Sequence, residues 1–419
     1  MSPLHVGLCG PVAGQDIAAL MGMEPQALPR GYEGAPLLVT LIEGLLARGH
    51  RVSVFTLSND LSFAAGAVKV ASRLHPGLEL HFCPLRRHAW RPCEGRPGRI
   101  LDLYRHERRA LVEAMRQAAP AVIHAHWAYE FAWAALDTGI PTVVTCHDSP
   151  LLVARMNALA KPTISLYRGL RVLMAWQVLR RARWVTAVSP YLAAALEGMS
   201  PRPLQVIPNP VDGRSLVLGR DRRLGQALRI AMVSNGFDQL KNPKKALLAF
   251  AKLRASRPQA RLHLFGRGFE RDGEAVAWCR SRPDLADCLP AMSFHGPLGH
   301  AELLERLAAC DLLIHPALEE AFGMALAEAM ALGLPVVAGR HSGAVPWVVQ
   351  DARCLCEVKD PEAIAEAADA LLQGEVYAQL SRELRAMVAR RFALEAVLQR
   401  YEAVYREALE GASSARESA

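Results

Sequence analysis

The sequence has no run of eighteen uncharged apolar residues, so no membrane-spanning helix is expected. Its nine cysteines form no CxxC pair, and the closest two, Cys354 and Cys356, would face the same side of a strand. That scatter argues against a zinc site or a disulfide framework and suits reduced thiols in a cytoplasmic protein. The opening MSPLHVGLCG lacks a basic segment followed by a long apolar one, so no secretory signal is expected. No Asp-x-Asp-like pair falls on a loop, which leaves a metal-dependent mechanism without support. Charged residues make up 21% against 51% hydrophobic, an ordinary balance that excludes a disordered or fibrous chain.

What is present is length and a lopsided charge. A chain of 419 residues accommodates two domains, each able to bury its own core. Residues 1–212 carry 22 Lys/Arg against 15 Asp/Glu, whereas 213–419 carry 27 against 26, so +7 of the net +8 lies in the first half. A one-sided excess points to a polyanionic partner. Residues 86–109 hold eight Arg and three acids, and residues 151–196 hold seven Lys/Arg and no acid. Within the latter, ISLYRGLRVLMAWQVLRRARW mixes Leu, Trp, Met and Arg at helical spacing. Such a helix suits an anionic membrane surface or acceptor, and equally a core-facing helix with a solvated Arg face. No nucleic-acid motif accompanies the charge, so nucleic acid is not an expected partner.

Strand-like and helix-like runs alternate. Strands are expected at His5–Cys9, Arg51–Thr56, Ala121–Ala125, Pro141–Cys146 and Trp184–Val188, with helices at Pro36–Arg48 and Leu101–Ala118. VIPNPVD (206–212) breaks the pattern, because two prolines within three residues fit neither helix nor central strand. Alternation then resumes, with strands at Arg229–Val233, Arg261–Phe265, Leu312–His315 and Pro335–Ala338 and helices at Pro243–Ala255, Glu302–Ala309 and Gly323–Leu332. Two doubly wound α/β domains with a cleft between them follow from this order. The expected divisions are 1–208, 209–393, and a helix from 394 that packs back on the first domain and ends in a frayed tail after Leu409.

The most informative stretch is HPALEEAFGMALAEAMALGLPVVAG (315–339), read as strand end, loop, helix, glycine stop and strand. Glu320 stands before the helix and Glu328 inside it. Free amides from Ala321 onward make an anion site, and Gly323 lets a ligand approach closely. A carboxylate at Glu328 suits a vicinal diol. Taken alone, the two glutamates would read as a helix cap and a surface charge.

This stretch resembles the retaining glycosyltransferases of family four, which have the GT-B fold. Glu320, Phe322, Gly323, Glu328, Ala329, Met330, Ala331, Gly333, Pro335, Val336, Val337 and Ala338 fit that family's signature. LLARGHRVSVFT, VIHAHW, GIPTVVTCHD, VSPYL, VIPNPVD and FHGPLGHAELLERLAACDLLIHP follow in the family's order over nearly the whole chain. The resemblance implies a nucleotide-sugar donor on the C-terminal domain and a glycan or lipid-linked acceptor on the N-terminal one. It implies retention at the anomeric carbon, no metal or other cofactor, and work in cell-envelope polysaccharide or glycolipid synthesis at the inner face of the membrane. Glu320 would contact the donor sugar, Glu328 the ribose hydroxyls, and the amides of Phe322, Gly323 and Met324 the sugar and diphosphate. Lys241 fits the family's phosphate-binding lysine. The family's arginine falls on Asn235 or Gly236 and is therefore missing, with Lys244, Arg267 and Arg340 as candidate substitutes. Gly266 adjoins the donor. Gly31 and Gly34, Gly34 foremost, match the family's phosphate and acceptor loop, and His147 matches a histidine that approaches the reacting sugar. His124 and His126 are expected to be structural. A sugar-nucleotide epimerase of the same fold and a degenerate transferase serving as a binding partner are the rival readings. A dehydrogenase is discounted, because Gly266-x-Gly268 lacks the third glycine of the dinucleotide fingerprint.

Overall fold

The computed structural model describes residues 2–32, 35–156, 162–225 and 227–417. The chain forms two compact units, Met1–Pro210 with Leu394–Ala419, and Val211–Ala393. The strands are β1 His5–Cys9, β2 Arg51–Ser58, β3 Val68–Ala71, β4 Leu78–Pro84, β5 Val122–His126, β6 Thr142–Cys146, β7 Trp184–Ala187, β8 Gln205–Val206, β9 Leu228–Val233, β10 Ala260–Phe265, β11 Met292–Gly296, β12 Leu312–His315, β13 Val336–Gly339 and β14 Leu355–Cys356.

The first unit carries an eight-stranded sheet in the order β3-β4-β2-β1-β5-β6-β7-β8. Only β3 runs antiparallel to its neighbour. The second carries a six-stranded parallel sheet in the order β11-β10-β9-β12-β13-β14. Central strands such as VIHAH and TVVTC are buried on both faces, as expected where helices cover a parallel sheet. Strand order reverses between β1 and β5 in one unit and between β9 and β12 in the other. Ligands of open α/β sheets bind beyond the carboxyl ends of strands at such points. The loops leaving β9 and β12 carry Lys241 and Glu320, and the loop leaving β6 carries His147.

Helix Leu394–Glu417 packs within the first unit. Tyr405 OH lies 2.8 Å from His124 Nδ1, while His124 Nε2 lies 2.7 Å from Thr145 Oγ1. His124 thus has protein partners on both nitrogens, and burial pushes it down to about 3, so it stays neutral. The helix continues past Leu409 to Glu417 where a frayed tail was expected, and within it the hydroxyls of Ser413 and Ser414 donate to the carbonyls of Leu409 and Glu410. Among the described residues, no helix is long and apolar enough to cross a membrane.

One arginine of the 86–109 region is withdrawn from the surface. Arg86 is fully buried and donates to both oxygens of Glu107, at 2.9 and 2.6 Å, and to both of Asp102, at 2.9 and 2.7 Å. The expected helix from Leu101 begins only at Arg105. Leu103 and Tyr104 take positive φ, and the resulting turn holds Asp102 beside Arg86. Arg86 thereby takes up two of the region's three acids, while Arg87, Arg91, Arg105 and Arg109 stay exposed, so the rest of the stretch remains basic. Breaking a buried ion pair by removing one partner strands the other, at about 3–5 kcal/mol. Arg86→Met should therefore shift chemical denaturation of the first unit to lower denaturant by roughly that free energy, and an unshifted transition would contradict the assignment.

Candidate functional site

In the second unit, the loops after β9 and β12 lock together. Leu318 N–H donates to Leu240 O at 2.9 Å, and Asn242 Nδ2 donates to Pro316 O and Val358 O at 3.0 and 2.8 Å. These bonds bring Lys241 Nζ to 2.6 Å from Glu320 Oε1. His315 Nε2 stands 3.3 Å from the same oxygen without hydrogen-bonding geometry. Burial would raise the Glu320 carboxyl, but the neighbouring His315 and Lys241 outweigh it and hold it at about 2. Glu320 is therefore a carboxylate at neutral pH, pre-paired with a cation.

The signature helix begins at Met324, one residue after the expected start at Gly323, which takes φ +91° and serves as its N-cap. A left-handed cap of that kind favours glycine. The amides of Met324 and Ala325 precede the first bond of the helix, from Leu326 N–H to Gly323 O. Phe322 turns inward, edge-on to Phe392 at 5.2 Å and to Trp347 at 6.3 Å, so its ring anchors the loop. Gly266, at φ +109°, abuts the loop after β9, where a Cβ would meet Ser234 O at 2.0 Å. Asn235 and Gly236 occupy that loop, and Ser234 Oγ donates to Gly236 O at 3.1 Å. Arg267 follows Gly266 and is exposed, Lys244 lies over the Phe237 ring at 5.4 Å, and Arg340 donates to Leu355 O. Beside the same loop, Asp238, Gln239, Asn242, Lys244, Lys245, Leu318 and Lys359 line a cavity of about 550 Å³.

Glu328 is buried rather than solvated. His300 Nε2 lies 2.7 Å from Glu328 Oε1, and its Nδ1 lies 3.5 Å from Asp212 Oδ2. His300 opens helix His300–Ala308, and Asp212 caps helix Gly213–Leu218 by accepting from Arg214 N–H at 2.8 Å. Burial disfavours the imidazolium, yet the two carboxylates outweigh it and raise His300 to about 10. The same pairing outweighs burial at Asp212 and lowers its carboxyl. Sequence reasoning missed His300. Its only signal was a position at the start of a helix within the FHGPLGHAELLERL motif.

In the first unit, Gly31 bridges to Ala13, and its N–H donates to Ser58 Oγ at 3.0 Å. Gly34 lies outside the described residues. The His147 ring lies tilted against Trp127 at 4.3 Å, and its Nε2 sits 2.9 Å from His126 Nδ1. Trp127 is held at φ +63°, an uncommon conformation for a bulky residue and one that clusters at functional sites. His147 Nδ1 is buried without a partner. Burial pushes His147 down to about 3, so it is a neutral imidazole with one nitrogen uncommitted. Next to it, Tyr129 OH donates to Asp148 Oδ2 at 3.1 Å, and Arg171 lies 3.6 Å over the Tyr129 ring while ion-pairing with Glu130.

Comparison with solved structures shows that the chain has the GT-B fold of nucleotide-sugar glycosyltransferases. Sucrose-phosphate synthase from Thermosynechococcus elongatus superposes at TM-score 0.71 and 20% identity, covering 97% of this chain and 100% of that one. Anabaena HepE, solved with UDP and glucose, superposes at 0.64 and 18% identity, covering 96% and 100%. Residues 36–214 match the family described as Glycosyltransferase Family 4, and residues 223–390 match Glycosyl transferases group 1. The chain belongs to the family-four glycosyltransferases. Among curated relatives, an N-acetyl-alpha-D-glucosaminyl L-malate synthase of Bacillus anthracis is 28% identical over 46% of this chain, and the match spans about half (49%) of that relative's length. A D-inositol 3-phosphate glycosyltransferase of a Nocardioides species is 27% identical over 81% of this chain and 77% of its own.

The His300 pairing gives a pH-dependent stability. Its folded-state value of about 10 lies above the ordinary 6.5, so the contribution is complete below about pH 6.5 and is lost as pH rises through 10. His300→Gln should therefore destabilise the second unit most at pH 6 to 7. The gap to wild type should close by about pH 10, and a gap independent of pH in denaturant titrations would refute the ion triad.

Proposed function

We propose that the protein transfers a sugar from a nucleotide-sugar donor to a hydroxyl of a glycan or lipid-linked acceptor, with retention of anomeric configuration. The observation that carries this reading is the Lys241–Glu320 pair at 2.6 Å, set beside the unbonded first amides of helix Met324–Ala331. In this reading the diphosphate takes Lys241 and those amides, which meet the negative charge that develops as it leaves. Glu328 accepts from the two ribose hydroxyls. Glu320 orients the donor sugar. Loss of the diphosphate leaves an electron-poor anomeric carbon, and the acceptor oxygen attacks from the same face while a diphosphate oxygen takes its proton. Fixed cations serve in place of a metal, and no cofactor is required beyond the donor as co-substrate. Support for an anionic, hydroxyl-bearing acceptor comes from the names of two relatives, which refer to malate and inositol 3-phosphate. We place the activity in cell-envelope polysaccharide or glycolipid synthesis at the inner face of the membrane.

The test is a panel of UDP-, GDP-, ADP- and dTDP-sugars incubated with the purified protein. Slow release of nucleoside diphosphate from one donor is expected, whereas isomerised sugar would assign epimerisation instead. With that donor, Glu328→Ala should weaken nucleotide binding about tenfold or more, and Glu320→Ala should mainly lower turnover, by about a hundredfold. Unchanged kinetics in both variants would overturn the site assignment.

A further inference from the structure

We propose that helix Pro162–Arg181, with the neighbouring helix Pro150–Met156, forms a docking surface for an anionic lipid bilayer. The observation is an outward face of the wrong polarity. On the longer helix the buried residues are Met174, Ala175, Val178 and Leu179, all in its second half. Leu166, Gly169, Leu173, Trp176 and Arg180 are all exposed and recur at intervals of three and four, so they share one face. Leu166, Leu173 and Trp176 are 56%, 42% and 39% exposed, and at 1.5 Å per residue they form a stripe about 15 Å long.

An ordinary surface helix turns its charges outward. Here Arg171 turns inward to Glu130 and the Tyr129 ring, while leucines and a tryptophan face solvent. Leu151 and Met156 on the shorter helix are exposed too, and Ile164 is exposed on another side of the longer helix, about 200° around from Leu166. Together these make six of the ten large exposed apolar side chains among the described residues, gathered into 26 consecutive positions. Scattered exposed leucines need no explanation, but a contiguous patch marks an interaction site.

Charge selects the occupant. Residues 151–196 contain seven Lys/Arg and no acid, so nothing in this segment repels a negative surface. Arg155 and Arg180 are exposed at the patch, and the Arg180 guanidinium lies 4.9 Å over the Trp176 ring. A tryptophan with an arginine over its ring suits the boundary between acyl chains and headgroups, where the ring is buried and the cation reaches phosphate. Anionic headgroups supply charge complementarity for the arginines and hydrocarbon for the leucines in a single partner.

The test is co-sedimentation of the full chain with vesicles of phosphatidylcholine alone and of phosphatidylcholine with phosphatidylglycerol. Wild type should sediment with the phosphatidylglycerol vesicles and be released by high salt. A Leu166→Glu, Leu173→Glu double variant should lose binding about tenfold or more while keeping the wild-type unfolding temperature, because both side chains are exposed. Wild-type protein left in the supernatant, equal binding to neutral vesicles, or undiminished binding of a folded double variant would each overturn the proposal; the first would leave the face to a protein partner. No substrate enters this experiment, so its failure leaves the transferase reading intact, and inactivity toward every donor would leave the vesicle result standing.

Discussion

The second unit depends on one buried guanidinium. Arg222 donates through Nε to Leu332 O at 3.0 Å, through Nη1 to Cys310 O at 2.6 Å and through Nη2 to Ala308 O at 2.8 Å. Those carbonyls lie at the ends of helices His300–Ala308 and Met324–Ala331, where backbone acceptors have no partner within the helix and the dipole is negative. One planar cation thus fixes two helix ends and sets the two helices against each other. Their other residues are then in register, with His300 reaching Glu328 and Gly323 presenting the first amides. The strand exchange at β9 and β12 supplies the crevice, and Arg222 determines how the flanking helices stand around it.

Much of this was legible in the sequence, because the alternation of apolar strand runs with 3.6-period helices is a local signal. The strand positions and the break at 206–212 were readable in the same way. So was the Glu320–Glu328 motif, whose eight-residue spacing lies within one loop and helix. The partners were not legible. Lys241 and Glu320 are 79 positions apart, His300 and Glu328 are 28 apart, and His124 and Tyr405 are 281 apart. Sheet order brings the first pair together and helix packing the other two, and neither periodicity nor capping encodes such long-range placement. The signature helix was legible to within one residue at its start, because Gly323, expected as its first residue, is its N-cap at positive φ.

Charge was the least faithful guide. Counting residues treats every arginine as surface, but burial decides which ones a partner can meet. Arg86 is enclosed by Asp102 and Glu107, Arg108 pairs with Asp137, and Arg171 pairs with Glu130. The acids of the first unit are few, yet several are directed to buried arginines, since an unpaired buried charge costs far more than an exposed one. What remains for the surface lies in both stretches, with Arg87, Arg91, Arg105 and Arg109 exposed in one and Arg155, Arg180, Arg181 and Arg183 in the other.

The absent family arginine places more weight on Lys241. In the unliganded arrangement its ammonium neutralises Glu320, so neither group is stranded in a site that excludes much of the water. On the proposed reading, a diphosphate that recruits Lys241 recruits it from Glu320, and the carboxylate must then be balanced by something else. His315 is already 3.3 Å away, with both ring nitrogens lacking hydrogen-bond partners. A small rotation would let it donate to Glu320 as the lysine leaves. A single lysine can therefore serve as the resting counter-ion of one glutamate and the working counter-ion of the leaving group, provided a histidine stands ready to exchange with it.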